Sequence, residues 1–485
     1  MMVRAMSAAA LAMTLANASF AADQDLSARI HNVETGLTNA VVVKGRSPVR
    51  RSIEDRMAFH HVPGVSLAII DHGKVVWSKA YGVVTSGAAA PITTDTRFQA
   101  ASISKTVAAA TALSLVVEGK IDLDAPVNGM LKGWALPPSE IAPGYAPSVR
   151  ALLSHSGGTS VHGFAGYVVG QPVPTLVQIL NGVKPANSAP ILIDHKPGVW
   201  EYSGGGTTIV QKVIEDVGGQ PLSVMAQTRI LGPVGMTLST YKIPDQADQS
   251  FATGHRGDGT AIAGRWRVYP EQAAAGLWTT PGDLAKWAIA VAAAGRGDAG
   301  GGVDPRVAKL LLAPQPGLDT GGGAMGLGFF LNKAGATASL GHGGANEGFR
   351  CDLIYYTADG EGIAVMTDSD TGGALIGEIE RAVATAFGWP SGAVREVTPV
   401  DADPAVLRRM AGAYSIPAMV NAIVLKVEGG VLVATYYDGR VKPLIAIGPG
   451  EFINEEDGAT ITAAPNGDIV LKQASGGRLT LRKTS

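Results

Sequence analysis

A chain of 485 residues, 46% apolar and only 16% charged, is long enough for two domains and too apolar to be a disordered segment. A formal net charge of −2 without a basic run argues against nucleic acid or an anionic membrane surface as partner. The one cysteine, Cys351, excludes an internal disulfide and a cysteine-built zinc site. Flanking a predicted strand, it reads as a small buried hydrophobe.

In chain order, the N-terminus reads as an export signal. Arg4 supplies positive charge, Ala8 to Ala16 is a short apolar run, and Ser19-Phe20-Ala21 offers small residues for cleavage after Ala21. The run is too short to stay as a membrane anchor, and no cysteine follows it for lipid attachment. The expected location is periplasmic or secreted. Val65 to Ile70, the turn Asp71-His72-Gly73-Lys74 and the alternating Val75 to Tyr81 predict a hairpin. After a loop, Pro91 to Arg97, a helix is expected from near Ser102. Its stretch Val107 to Val117 is apolar on nearly every face, which predicts burial.

Residues 120 to 335 read as helices and loops, with helices over Ser148 to Ser154, Thr207 to Val217, Pro221 to Ile230 and Pro281 to Ala294, and a spacer Gly295 to Gly302. Strand signals return at Leu327 to Leu331, Thr337 to Leu340, Cys351 to Tyr356 and Ile363 to Asp368, and a helix follows from Ile376 to Phe387. Strands from both ends around a helical middle give an α+β fold, an antiparallel sheet flanked by helices plus a helical subdomain. Residues 1–21 form the signal, 22–389 the main domain and 390–404 a linker. Residues 405–485, with strands Ile423 to Val427, Val431 to Tyr437, Ala459 to Ala463, Asp468 to Lys472 and Leu479 to Arg482 between Gly-rich turns, predict a small all-β barrel.

The chemistry centres on Ala100-Ala101-Ser102-Ile103-Ser104-Lys105. A helix places residues three apart on one face. A serine hydroxyl is a weak nucleophile until a base takes its proton. A lysine serves when its surroundings disfavour the ammonium, as an apolar helix and a helix N-terminus do. The Ser102 N–H at the helix start is free to donate to an oxyanion. The same spacing recurs at Ser239-Thr240-Tyr241-Lys242, but before Ile243-Pro244 and with no apolar helix behind it. That match is expected to be a surface turn.

Three further segments follow in order: Leu152-Leu153-Ser154-His155-Ser156-Gly157-Gly158, Pro197-Gly198-Val199-Trp200-Glu201-Tyr202-Ser203 and Gly341-His342-Gly343-Gly344. With the Ser102 motif they make residues 57 to 387 resemble the SxxK serine hydrolases: class C β-lactamases, low-molecular-weight penicillin-binding proteins, D-amino-acid peptidases and related esterases. The resemblance implies that Ser102 is acylated and that Lys105 and Tyr202 share the proton handling. It sets His342 in the cleft opposite Lys105 and makes the N–H groups of Ser102 and Ala345 the oxyanion hole. Gly204, Gly343 and Gly344 would line the substrate, with Arg350 either binding a substrate carboxylate or standing as a strand-edge charge. No metal or cofactor is implied. The C-terminal module resembles lipocalin-like β-domains attached to some members, implying a cap on the cleft or a homo-oligomer contact.

Two positions depart from the β-lactamase pattern. Gly204 stands where asparagine contacts the substrate amide, and His342 where lysine supplies a fixed charge; histidine is largely neutral near pH 7. The expected reaction is acyl transfer to water from D-amino-acid peptides, peptidoglycan-like fragments or β-lactams. A short-chain carboxylesterase and a penicillin-binding protein acylated without turnover remain as alternatives. A Gly-x-Ser-x-Gly elbow is not found; Gly64-Val65-Ser66-Leu67-Ala68 is the nearest match and lies in a strand. His60, His61, His155 and His162 read as surface or loop residues rather than metal ligands. His255-Arg256-Gly257 repeats the His-x-Gly pattern without flanking strands, and Trp200, Trp266 and Trp278 read as core or cleft aromatics.

Overall fold

A computed structural model describes residues 24–484 apart from 319, 321–322, 333–336, 390–391, 417–418, 437–438 and 474–477. The export signal and its cleavage point at Ala21 lie outside the described residues. The chain forms two compact units, one running from Met57 to Ile376, the other combining the residues up to Arg56 with those from Gly377 onward.

The larger unit is built on a seven-stranded sheet. Its strands are β1 (Gly64–Asp71), β2 (Lys74–Gly82), β3 (Ala324–Met325), β4 (Phe330–Asn332), β5 (Ser339–Asn346), β6 (Phe349–Tyr356) and β7 (Glu361–Thr367), in the order β2-β1-β7-β6-β5-β4-β3. Every pairing is antiparallel. The β1–β2 turn is as the sequence requires, with His72 and Gly73 at φ 49° and 72°. The returning strands are displaced from expectation. Residues 327 to 329 bend between β3 and β4, and β5 runs on through the His342 motif to Asn346.

The helical layer forms where apolar periodicity meets a cap. Helix α1 (Ser104–Val117) is buried at eleven of its fourteen positions, as its all-round apolar sequence demands. Thr280 caps α4 (Pro281–Gly295), with Pro281 in the first turn. Helix α2 (Gly204–Gly218) starts three residues before its predicted Thr207, capped by the Ser203 hydroxyl, which accepts from the Gly206 N–H. The run Gly204-Gly205-Gly206 is thus helix, not loop. A Cβ at Gly205 would lie 2.4 Å from the Ser160 carbonyl and one at Gly206 2.7 Å from Thr159 Oγ1. Glycine is needed there because another segment crosses the first turn at backbone distance. Helix α3 (Gln272–Ala275) is a single turn between α2 and α4.

In the smaller unit, helix α5 (Gly372–Phe387), which begins in the larger unit, carries Glu378, and Arg56 Nε donates to its carboxylate at 2.6 Å in a buried pair. Eight antiparallel strands close a barrel: β8 (Gly412–Ile416), β9 (Met419–Glu428), β10 (Val431–Tyr436), β11 (Val441–Gly448), β12 (Glu451–Asn454), β13 (Thr460–Ala463), β14 (Ile469–Lys472) and β15 (Arg478–Lys483). The sequence picked out five of these. The missed ones are β8 and the β11–β12 pair, whose alternation is broken by Pro443 and by the bulge between Ala446 and Gly448. Tyr414, Leu425, Leu432, Phe452 and Ile461 fill the interior, as expected of a barrel this size. Helix α6 (Pro404–Met410) adds Leu407 and Met410 to that core, and the Tyr414 hydroxyl donates to the Met410 carbonyl at 2.8 Å. Val41–Val43 pairs in parallel with Arg395–Val397, so the expected linker partly takes strand form.

Candidate active site

Ser102 lies on a 3-10 turn, Ala101–Ile103, just before α1. The chain enters through Phe98 and Gln99, which pair with Thr279 and Trp278, and Ala100 N–H donates to the Leu277 carbonyl at 2.8 Å. Ala101 then takes φ 45°, a left-handed conformation costing a non-glycine residue about 1 kcal/mol or more. The turn's first hydrogen bond runs from Ile103 N–H to the Ala100 carbonyl. The Ser102 N–H precedes it and has no partner inside the turn.

Lys105 is buried, 4% exposed. Its Nζ donates to Ser102 Oγ at 3.0 Å and to the Ala274 carbonyl at 2.8 Å. It lies over the Tyr202 ring, 5.1 Å from the centroid. The ring face of Tyr202, rather than its hydroxyl, is thus what meets Lys105 Nζ. His155 and His162 flank that ring at 4.3 and 4.9 Å between centroids, and Phe330 stacks parallel to it at 6.4 Å. Tyr202 is held by its neighbours in sequence: Glu201 N–H donates to the His155 carbonyl and Ser203 N–H to His155 Nδ1. His155 is therefore buried in the site, not on a surface loop, and it stands at φ 57°. The exposed His162 stays in the loop expected of it, but that loop touches the site.

Strand β5 passes against the Ser102 turn. A Cβ on Gly344 would lie 2.4 Å from both the Ala100 carbonyl and Cys351 Sγ, so only glycine allows this approach. His342 shares that face of the strand, two residues earlier. Its Nδ1 meets the Gly343 carbonyl at 2.6 Å, and its Nε2 is buried without a partner. Burial first, then the nearby Lys105 charge, pulls its pKa down to about 3. The same two causes push His155 well below the usual imidazole range. Both rings are neutral at any ordinary working pH. Beyond Gly341, β5 pairs only with β6 among the described residues, since β4 accompanies it just from Ser339 to Gly341. Its free edge then runs past His342 to the exposed Ala345, offering backbone N–H groups beside Ser102.

Gly204 opens α2 close to Tyr202, and its N–H is taken by the His162 carbonyl at 3.0 Å. Gly343 points to the other face, towards Asp352. Arg350 is not brought to the site. It pairs with Ala345 in register, but Cys351, beside it, is the residue that turns to the Ser102 side, with Sγ 3.1 Å from the Ala100 carbonyl. The Arg350 guanidinium donates to the Asn346 and Phe349 carbonyls and pairs with Asp370 at 3.2 Å. Arg350→Ala should therefore leave KM for carboxylate-bearing donors unchanged, as steady-state kinetics would show. The second serine–lysine match also resolves. Ser239 is not on the surface but is buried, bonded to Asp283 at 2.8 Å, while Lys242 is exposed. His255 is buried against Asp368, with Nδ1 3.4 Å from a carboxylate oxygen.

Sequence reasoning passed over three residues at this centre: His155, and Ala274 and Asn346, of which the last donates from Nδ2 to Gln99 at 2.7 Å and to the Ala275 carbonyl at 3.2 Å. A main-chain carbonyl such as that of Ala274 leaves no trace in the residue types.

A serine hydroxyl beside a buried amine, with unpaired N–H groups on two sides, is suited to acyl transfer. A family model described as Beta-lactamase matches residues 49–386. Among curated proteins, penicillin-binding protein 4 of Amycolatopsis lactamdurans is 29% identical over 39% of this chain and 47% of its own length. Esterase EstB of Burkholderia gladioli is 28% identical over 36% and 45%, and a D-aminopeptidase of Brucella anthropi 27% identical over 61% and 54%. The chain thus spans about half the length of the curated relatives it matches. The octameric penicillin-binding protein homologue from Pyrococcus abyssi superposes with a TM-score of 0.60 at 24% identity, over 89% of this chain and 98% of that one. The D-amino acid amidase from Ochrobactrum anthropi SV3 gives 0.55 at 23%, over 69% and 96%; both show the fold. With the family match covering more than half of its residues, the chain belongs to the beta-lactamase family.

Proposed function

We propose that the protein is a serine hydrolase that cleaves small amides or esters through an acyl-Ser102 intermediate, and that its donors carry no carboxylate on the leaving side. The observation behind the reading is the 3.0 Å contact between Lys105 Nζ and Ser102 Oγ in a buried setting. Ser102 Oγ attacks the donor carbonyl, and Lys105 takes its proton. The Ser102 and Ala345 N–H groups receive the oxyanion. On collapse the leaving amine or alcohol takes a proton from Lys105. Water then attacks the ester at Ser102 with the same base, releasing the acid.

The leaving-side restriction comes from electrostatics. A donor ending in a carboxylate, such as a penicillin or a D-alanyl-D-alanine peptide, needs a fixed cation beside it. His342, at the position for that cation, is held neutral, and Arg350 is occupied by Asp370 on the far face. D-Aminoacyl amides and short-chain esters are therefore the favoured donors. The named D-aminopeptidase and esterase relatives support this choice.

The test is intact-mass spectrometry and kinetics on p-nitrophenyl butyrate, D-alanyl p-nitroanilide and nitrocefin. The expected result is an acyl adduct on Ser102 and kcat/KM falling in the order ester or amide, then nitrocefin. Nitrocefin as the best donor would overturn the restriction, and unchanged rates in Ser102→Ala would overturn the mechanism. We also place the reaction outside the cytoplasm, on the Arg4 and Ala8 to Ala16 pattern. A mature N-terminus at Ala22 in exported protein supports this, and one retaining Met1 or Met2 refutes it.

A further inference from the structure

Among the described residues, Glu271 is the one fully buried acid close to this centre that the proposed reaction does not use. Its side chain is 0% exposed, and neither carboxyl oxygen has a hydrogen-bond partner. A buried carboxylate without a partner costs several kcal/mol if charged. Its placement matters more than its burial. Glu271 stands at the head of α3, where its own carbonyl accepts from the Ala274 and Ala275 N–H groups, both at 3.0 Å. The carbonyls at the other end of the turn hold the reacting groups. That of Ala274 takes Lys105 Nζ and that of Ala275 takes Asn346 Nδ2, next to Ala345. Lys105 Nζ has only Ser102 Oγ as its other hydrogen-bond partner among the described residues. Any shift of this single turn therefore moves the amine relative to the hydroxyl it serves.

We propose that Glu271 is a positioning residue for Lys105, its buried carboxyl setting, through α3, where the Ala274 carbonyl holds the amine. The inference rests on Lys105 being the base for Ser102. While it keeps its proton, the unpaired carboxyl costs far less than the carboxylate would. Once ionised it must gain a partner, either water drawn into the turn or a displaced neighbour. Burial pushes its pKa up to about 7, against the pull of its own backbone N–H and then of the Tyr167 hydroxyl. The penalty on the folded state begins above the ordinary carboxyl range and grows as pH rises to about 7.

Among the described residues, no cation neutralises it from the elements around the turn. Helix α1 contributes Lys105, committed to Ser102 and the Ala274 carbonyl. From α2 come Lys212, tied to Asp216, and Glu215, which accepts from the Leu222 N–H. The 3-10 turn brings Ser102, and the short helix Leu222–Ala226 brings no ionisable group. Tyr167 and Tyr269 are the acids nearest it, and burial keeps both phenols protonated, with Tyr167 pushed up to about 12. Arg267, in the same segment, is paired with Glu347 at 2.7 Å.

The experiment is the pH profile of kcat for p-nitrophenyl butyrate hydrolysis by the full chain, wild type against Glu271→Gln and Tyr167→Phe. In the wild type kcat should fall above about pH 7, by up to about tenfold per pH unit, with KM little changed. Glu271→Gln, which has no proton to lose, should keep its activity there. Tyr167→Phe removes one of the two groups that favour the charged form, so its falling limb should move to higher pH. Superimposable profiles for wild type and Glu271→Gln would overturn the proposal. Should that variant fail to fold, an unmoved limb in Tyr167→Phe overturns it. Absence of hydrolysis at pH 6 together with absence of a Ser102 adduct would instead reject the acyl-enzyme reading.

Discussion

Ser102→Ala and Lys105→Ala should each lower kcat for ester hydrolysis by about 10³-fold or more, and the double variant should be no slower than the worse single one. Positioned proton transfer alone contributes about 10²- to 10⁴-fold, and groups acting as one unit lose their effect together. The unit is visible: Lys105 Nζ has two hydrogen-bond acceptors, and one of them is Ser102 Oγ. Both side chains are small losses to the fold. Ser102 is only half-buried, and Lys105→Ala removes a buried amine from an apolar layer. Thermal midpoints should stay near that of the wild type, separating chemistry from folding. Additive losses in the double variant would mean that the lysine serves some step other than activation of Ser102.

The second large effect belongs to a residue without a side chain. Gly344→Ala puts a methyl group 2.4 Å from the Ala100 carbonyl and from Cys351 Sγ. The carbonyl belongs to a backbone pinned by the Ala100 N–H bond to Leu277, so β5 must give way. That widens the gap between the two oxyanion donors. Losing one such donor costs about 10²- to 10³-fold in kcat, and overpacking costs about 1–3 kcal/mol of stability. Its neighbour supplies the control. A Cβ on Gly343 meets Asp352 Oδ1 at 3.4 Å and the Cys351 carbonyl at 3.8 Å, both ordinary contacts. Gly343→Ala should therefore cost far less in kcat and in thermal midpoint; equal losses at the two positions would refute the close-approach account.

The contrast shows which parts of the site the sequence could carry. Spacing and apolar context single out Ser102 over Ser239, because a helix repeats every few residues and a buried lysine is costly. The sheet and helices are likewise legible through alternation and apolar periodicity, down to the His72-Gly73 turn. What stays hidden depends on long-range approach. The Gly204-Gly205-Gly206 run falls outside the helix expected from Thr207 because glycine is a poor helix former; it is the helix's first turn, kept glycine by the crossing segment at Thr159 and Ser160. His155 reads as a loop residue for the same reason, since nothing within ten residues announces that Tyr202 will stack on it. Ala101 at φ 45° is a position where a sequence reading would ask for glycine. Arg350 shows the converse: two residues can be close in sequence to the motif and still face opposite sides of a strand.

The pairing of Val41–Val43 with Arg395–Val397 bears on how the molecule is made. A ribosome delivers the first of these strands some 350 residues before its partner, with the entire larger unit synthesised in between. The early segment must therefore wait, its apolar Val41 and Val43 uncovered, while the catalytic unit emerges and folds as an insertion. Folding of the smaller unit must follow its synthesis, and premature termination between Ile376 and Arg395 would release the larger unit with an N-terminal segment that has no strand to join.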